Sequence, residues 1–345
     1  VTGALGSGKT TLIRDWMERP EMAGTALIIN EFGEVGLDHL LVSSAVETTL
    51  LMENGCLCCS LRGDLVDMIL NLFGSVERGE LPPFRRILIE TTGLADPVTI
   101  VRDLTTAPVL KGKVRLASVA TAVDGVLGRA GLEGDPVAVN QVAQADIGLI
   151  TKTDLADPLE LDKLRETLAT INPLMTVHEV RNGKAPPGDL LFGADTVRAV
   201  PADTAAGQAH PHHHHEHGDH DEHGIHDAHE PHTGVESWSV TLDHPLPWPV
   251  LRDWFDLVYS LNPAAVLRMK SILWVAERSC PLLVQAVGPV IMPAECLDAW
   301  PEDRQSSRLV MITRGLTADA LAASFHEIVL KRKSAVGKDA GRIKA

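Results

Sequence analysis

The sequence contains no unbroken apolar run of membrane-spanning length, although apolar residues make up 45% of its 345 positions. A bilayer requires about 20 consecutive apolar residues, so a membrane-embedded protein is not expected. The first residues do not have the charged-then-apolar pattern of a secretory leader, so secretion is not expected. There is also no initiator methionine: the chain opens at Val1 and reads as trimmed ahead of it. Positive charge is scarce. Thirty-one Lys and Arg stand against 46 Asp and Glu, a formal net charge of −15, which speaks against nucleic acid as the main partner. The basic residues from Lys331 to Lys344 read as a solvated end, with 334–345 as a tail. Cysteine is sparse and odd in number: five in all, three of them within four residues. That is no disulfide framework, and it points to reduced thiols in a cytoplasmic protein, with Cys280 and Cys296 as isolated packing residues.

What is present begins at the third residue. Gly3-Ala-Leu-Gly-Ser-Gly-Lys-Thr10 spells G-x-x-x-x-G-K-T, a phosphate-binding loop. Its glycines (Gly3, Gly6, Gly8) let successive backbone N–H groups turn toward phosphate oxygens, and the following helix adds its dipole. Ser7 and Thr11 flank the same cradle. Lys9 is expected to reach the β- and γ-phosphates, and the Thr10 hydroxyl to take one position on Mg²⁺. A helix follows, with Leu12, Ile13 and Trp16 on one face.

Two further elements lie in the expected order. Ile87-Leu-Ile-Glu-Thr-Thr-Gly93 is an apolar strand that delivers Glu90 to its carboxyl end, where a carboxylate can hold Mg²⁺ directly or through water. Gly93 would sit near the γ-phosphate and sense its presence, the usual way a nucleotide orders a switch loop. Leu149-Ile-Thr-Lys-Thr-Asp154 ends in x-K-x-D, the guanine-reading element. Asp154 would accept from the base's N1–H and N2 amine while the Lys152 stem packs on its face. Thr151 stands where Asn is usual, and its hydroxyl can replace part of that contact. Adenine lacks this donor pair, which argues for GTP over ATP and against a small-molecule kinase or biosynthetic ATPase.

Glu53-Asn-Gly-Cys-Leu-Cys-Cys59 lies between the two switch regions. Thiolates of Cys56, Cys58 and Cys59 can converge on one soft or borderline cation where Gly55 lets the backbone turn. Glu34 is the candidate fourth ligand; Glu31, Asp38 and His39 are others in the preceding stretch Asn30–His39, with water or a partner as the alternative source. Eleven of the fifteen histidines fall between His210 and His232, a flexible stretch suited to collecting Zn²⁺, Ni²⁺, Co²⁺ or Cu²⁺ with little selectivity.

Alternating apolar strands (Ala26–Ile29, Arg86–Ile89, Leu116–Val119, Ile147–Ile150) and amphipathic helices predict an α/β fold, a doubly wound, mainly parallel sheet over 1–200. A His-rich linker follows at 201–234. A smaller α+β domain then spans 235–333, with strands near 237–242, 266–276, 282–287 and 309–313 and helices near 248–261 and 317–330.

Taken in order, these motifs resemble the CobW-like P-loop GTPases, and the resemblance covers nearly the whole chain. It rests on G-x-L-G-S-G-K-T-T at Gly3–Thr11, N-E-F-G-E-V-G at Asn30–Gly36, E-N-G-C-x-C-C at Glu53–Cys59 and E-T-T-G-L-A-D-P at Glu90–Pro97. Arg268-Met-Lys270 and Ser307-Arg-Leu-Val-Met-Ile312 extend it into the second domain. Ala4 for Phe, Thr151 for Asn and Ser271 for Gly depart from the family pattern. The resemblance implies slow GTP hydrolysis, the three clustered cysteines as metal ligands, and delivery of zinc or cobalt to a client metalloprotein, with GDP as product. Two other readings remain at this point: a metal buffer or sensor built on the His-rich linker, and a cobalt-insertion accessory protein of cobalamin synthesis. A homodimer is one of the assemblies left open.

Overall fold

The computed structural model describes residues 1–30, 50–51, 57–59, 65–193, 234–301 and 304–331. Its first part is built on two groups of strands. One holds β1 (Thr25–Asn30), β2 (Leu50–Leu51), β3 (Leu57–Cys59) and β4 (Arg86–Thr91) in the order β2-β3-β1-β4. The other holds β5 (Ala120–Asp124), β6 (Ile147–Thr151) and β7 (Thr176–Glu179) in sequence order. All the pairings are parallel except β2 with β3. Val1 and Thr2 are the seam between the groups. The Val1 amine donates to Ile89 O (2.6 Å) and Thr91 N to Val1 O (3.0 Å), while Thr2 N donates to Ala120 O and Ala122 N to Thr2 O, both at 2.8 Å.

The strands are apolar on both faces because helices cover both. Leu27 faces α1 (Lys9–Met17), packing with Leu12, Ile13, Trp16 and Met17. Its neighbours Ala26 and Ile28 point the other way, against α2 (Leu65–Glu77) and Ile100 of α3 (Pro97–Thr106). Helices α4 (Gly128–Gly134), α5 (Pro136–Gln144) and α6 (Pro158–Ile171) close over β5 and β6 through Leu132, Val139, Val142, Leu164 and Leu168.

One strand differs from expectation. The pairing falls on Ala120–Asp124 rather than Leu116–Val119, because β6 meets the chain from the Val119 carbonyl onward and Thr2 meets it at Ala120 to Ala122. Residues 113–118 instead border a cleft of about 610 Å³ whose other wall is Arg86–Ile89.

The second part is an antiparallel sheet of β8 (Val235–Leu242), β9 (Val266–Leu273), β10 (Leu282–Val287), β11 (Val290–Ile291), β12 (Glu295–Cys296) and β13 (Ser307–Arg314). Its order is β11-β10-β9-β13-β8, with β12 also on β10. Helices α7 (Trp248–Leu261) and α8 (Ala318–Phe325) cover one face, where Trp254 and Phe325 meet edge-on with centroids 5.0 Å apart. After α8 the chain continues through one wider turn, His326–Leu330. The other face, with Leu267, Leu283, Val287 and Ile312, joins the same core as α5 and α6. At that junction Asp146, at the foot of β6, is buried between Arg268 and Lys270 of β9, with Nη2 at 2.5 Å and Nζ at 2.7 Å from its Oδ1.

The expectation that Cys280 and Cys296 are separate packing residues is corrected here. Pairing of Leu282 with Cys296 across β10 and β12 draws them together, and they form a disulfide near the surface.

Candidate nucleotide site

The loop ahead of α1 takes its shape from its glycines. Gly6 and Gly8 hold φ of +76° and +86°, the left-handed region where a side chain is strained. Gly8 is the N-cap and offers no side chain, so the first-turn amides of α1 have no side-chain cap and point out as an anion cradle. Lys9 is buried at the base, its Nζ donating to the carbonyls of Gly3 (2.7 Å) and Ala4 (3.0 Å). The amine is thus folded over the loop a phosphate would fill. Beside it the Thr10 hydroxyl donates to Glu90 Oε1 at 2.8 Å, so strand β4 and helix α1 bring two hard oxygen donors together. That donor chemistry fits Mg²⁺.

Switch II begins one residue past β4. A Cβ on Gly93 would lie 2.5 Å from Leu5 N, so only glycine lets this segment rest on the phosphate loop. Asp96 then caps α3 by accepting from Val98 N at 3.0 Å.

The x-K-x-D corner is organised by Thr151. Its hydroxyl donates to Ser7 O (2.8 Å), with Val123 O at 3.3 Å, so it ties the end of β6 to the phosphate loop. Lys152 holds φ of +55°, and its Nζ bridges Gly6 O (2.9 Å) and Asp124 Oδ2 (2.5 Å). Burial alone would raise the Asp124 carboxyl. The Lys152 ammonium and the amides of Val126 and Leu127 outweigh it and hold the group below its ordinary range. Asp154 is exposed at the rim, and its Oδ1 accepts from Asn182 N at 2.9 Å. Thr11 meets the same turn, where a Cβ on Gly183 would lie 2.9 Å from its Cγ2. That turn is fastened to α1, with Asp15 accepting from Lys184 Nζ and Ala185 N, both at 3.0 Å.

Sequence reasoning therefore placed the loop, the carboxylate and the x-K-x-D corner together, and the structure brings them together. It missed Asp124, Asn182 and Gln141. The Gln141 side chain, on α5, donates to the carbonyls of Gly93 (3.1 Å) and Ala95 (3.0 Å). No local pattern marks any of the three.

Of the thiol motif, Cys56 lies outside the described residues, as do Glu34, Glu31, Asp38, His39 and the His-rich stretch. The backbone of Cys58 and Cys59 is described: both lie on β3, opposite Leu27 and Ile28 of β1. The far side of β1 pairs with β4, Ile29 opposite Glu90. Among the described residues no three His, Cys, Asp or Glu side chains are grouped to hold a metal. No described helix is long and apolar enough to cross a membrane.

Comparison with known proteins agrees with this geometry. Residues 1–179 match the family described as "CobW/HypB/UreG, nucleotide-binding domain", and 235–329 match "Cobalamin synthesis protein cobW C-terminal domain". The zinc chaperone YjiA of Escherichia coli is 30% identical over 94% of this chain and 96% of its own. The zinc chaperone CobW of a Sinorhizobium species is 28% identical over 90% and 91%. The crystal structure of Zn(II)-bound YjiA GTPase from E. coli superposes with a TM-score of 0.71 at 28% identity, covering 95% of this chain and 96% of that one. A phosphate loop, a Thr–Glu pair and an x-K-x-D corner at the strand ends of two adjoining parallel sheets, joined to the matching C-terminal domain, place this chain among the CobW-family GTPases.

Proposed function

We propose that this GTPase is a metallochaperone: it binds zinc through Cys56, Cys58 and Cys59 and passes it to a client metalloprotein under control of the bound nucleotide. Gly3, Gly6, Ser7, Gly8 and Thr11 cradle the phosphates, Lys9 swings from the loop carbonyls to the β- and γ-phosphates, and Asp154 with Lys152 reads guanine. Thr10 and Glu90 would hold Mg²⁺, which when bound neutralises charge on the phosphate oxygens. Gly93 reads the γ-phosphate. Glu34 is the fourth zinc ligand in this reading, and cobalt is the alternative cargo that the same donors accept. A GTPase needs a GTP pool such as the cytoplasm supplies, and we place the protein there.

The observation that carries the proposal is the sheet order. The strand of Cys58 and Cys59 is separated from the strand of Glu90 only by β1, in continuous parallel register. Ordering β4 and its switch around GTP therefore acts on a backbone hydrogen-bonded, through one strand, to the thiols. By linkage, if GTP alters zinc affinity then zinc alters GTP affinity by the same factor. The names of YjiA and CobW as zinc chaperones support the cargo.

The test is a zinc titration of protein lacking residues 210–232, loaded in turn with GDP and a non-hydrolysable GTP analogue, beside a Cys56/Cys58/Cys59→Ala variant. One tight site that needs the cysteines and changes affinity with nucleotide is expected. Equal affinity in both states, or loss of all tight binding with the His-rich stretch, would instead make the protein a buffer.

A further inference from the structure

Gln141 is 1% exposed in the middle of α5, and a buried amide is costly unless it is hydrogen-bonded. Its Nε2 donates to Gly93 O and Ala95 O, the two carbonyls on either side of Leu94 in switch II. The same side chain lines a cavity of about 250 Å³ together with Ala4, Leu5, Gly6 and Ser7 of the phosphate loop. Gln141 therefore stands where switch II meets the loop.

The helix that carries it is capped at its start and fastened to other elements at its end. Asp135 caps its start, accepting from Val137 N at 2.8 Å. At its end Asn172 Nδ2 donates to the carbonyls of Val142, Ala143 and Ala145 at 2.8, 3.2 and 2.8 Å. Two residues past the helix, Asp146 is gripped by Arg268 and Lys270 of the C-terminal sheet. A helix so fixed does not follow switch II as it moves; the switch must come to the helix.

We infer that Gln141 is a positioning residue for GTP hydrolysis, holding Gly93 and Ala95 against the phosphate loop from a helix that the C-terminal domain keeps in place. Part of the ordering of switch II is then complete before the γ-phosphate arrives, and preorganisation of this kind lowers the cost of reaching the reactive arrangement. GDP has no γ-phosphate for Gly93 to meet, so its affinity does not depend on the clamp.

The experiment compares Gln141→Leu, Gln141→Glu and the milder Gln141→Asn with unmutated protein. Each is read by kcat and KM for GTP, by the affinities of GDP and a non-hydrolysable GTP analogue, and by melting temperature. Gln141→Leu keeps the bulk and removes both donors; Gln141→Glu keeps the shape and sets a carboxylate against two carbonyls. Both are expected to lower kcat and analogue affinity about tenfold, ~1.4 kcal/mol each, with GDP affinity within about twofold. Gln141→Asn, one methylene shorter, should fall between. Unchanged hydrolysis in any folded variant would overturn the assignment. So would GDP and analogue affinities that fall together in proportion to lost stability, since that is a purely structural role. The outcome is independent of the metal reading, because no zinc enters the assay.

Discussion

The link between the C-terminal sheet and switch II can be tested at one contact. Gly288 closes the turn from β10 to β11 at φ +55°, and a Cβ there would lie 2.5 Å from Val98 Cγ2, 3.2 Å from Cγ1 and 3.4 Å from Cβ. Val98 is in the first turn of α3, directly after the Asp96 cap of switch II. Gly288→Ala thus carries two separable costs. Left-handed strain on alanine is about 1 kcal/mol, and overpacking against the valine methyls is about 1–3 kcal/mol. Val98→Ala on its own removes two half-buried methyls, about 1 kcal/mol. If the contact is as described, the double variant loses only the strain and the valine burial, about 2 kcal/mol, where simple addition gives about 3–5 kcal/mol. The rescue of about 1–3 kcal/mol is the steric term itself. Urea melts of the four proteins, followed by tryptophan fluorescence, measure it. GTP hydrolysis measured on the same samples should fall in Gly288→Ala, as the first turn of α3 is pushed, and recover in the double variant. Additivity within about 0.5 kcal/mol would mean the two side chains do not meet, and would remove this contact between the second domain and the switch.

Two other outcomes follow from the geometry. Asp154→Asn replaces the acceptor for guanine N1–H and N2 with an amide, so affinity for GTP should fall by about 1–3 kcal/mol, roughly fivefold to 150-fold, while xanthosine triphosphate, which carries a carbonyl at that position, gains; competition against fluorescent GDP reads both. Burial alone would raise the Asp146 carboxyl, but Arg268 and Lys270 outweigh it and hold it below its ordinary range. With the folded value under the unfolded one, its contribution is complete above the ordinary carboxylate range and disappears as pH falls through the depressed value; urea melts down to about pH 3 should show a steep acid limb that flattens in Asp146→Asn, a variant that also costs about 3–5 kcal/mol near neutrality.

The parts of this site that the sequence made legible are those whose chemistry is confined to consecutive residues. A phosphate cradle is made by adjacent amides, so Gly3 to Thr10 must be spelled together. The x-K-x-D corner and the Glu90 strand end are likewise local, and alternating apolar strands announce parallel sheets. The misplacement of β5 shows where that logic stops. Residues 116–119 are as strand-like as 120–124, but a strand exists only where a neighbour offers an edge, and Thr2 offers one from Ala120 onward. Cys280 and Cys296 look separate in sequence for the same reason, since the β10–β12 pairing that joins them is a tertiary fact.

Residues that hold other elements leave no signature near themselves. Gln141 reads as one polar position on an amphipathic helix, and its role depends on switch II, 48 positions away in sequence. Asp146 reads as the residue before an apolar strand, and its partner Arg268 lies 122 positions on. Gly288 reads as a turn glycine, yet it is Val98 that leaves no room for a side chain there. Each is constrained by something arriving from a distance. Recognising guanine and cradling phosphate require only the loop, β4 and β6, which many nucleotide-binding chains could share. Relaying the state of Gly93 beyond the nucleotide requires α5 and the C-terminal sheet to be fixed against each other. On the inference that Gln141 holds switch II, weakening the buried Asp146 cluster should loosen that hold even though none of its members lines the phosphate loop.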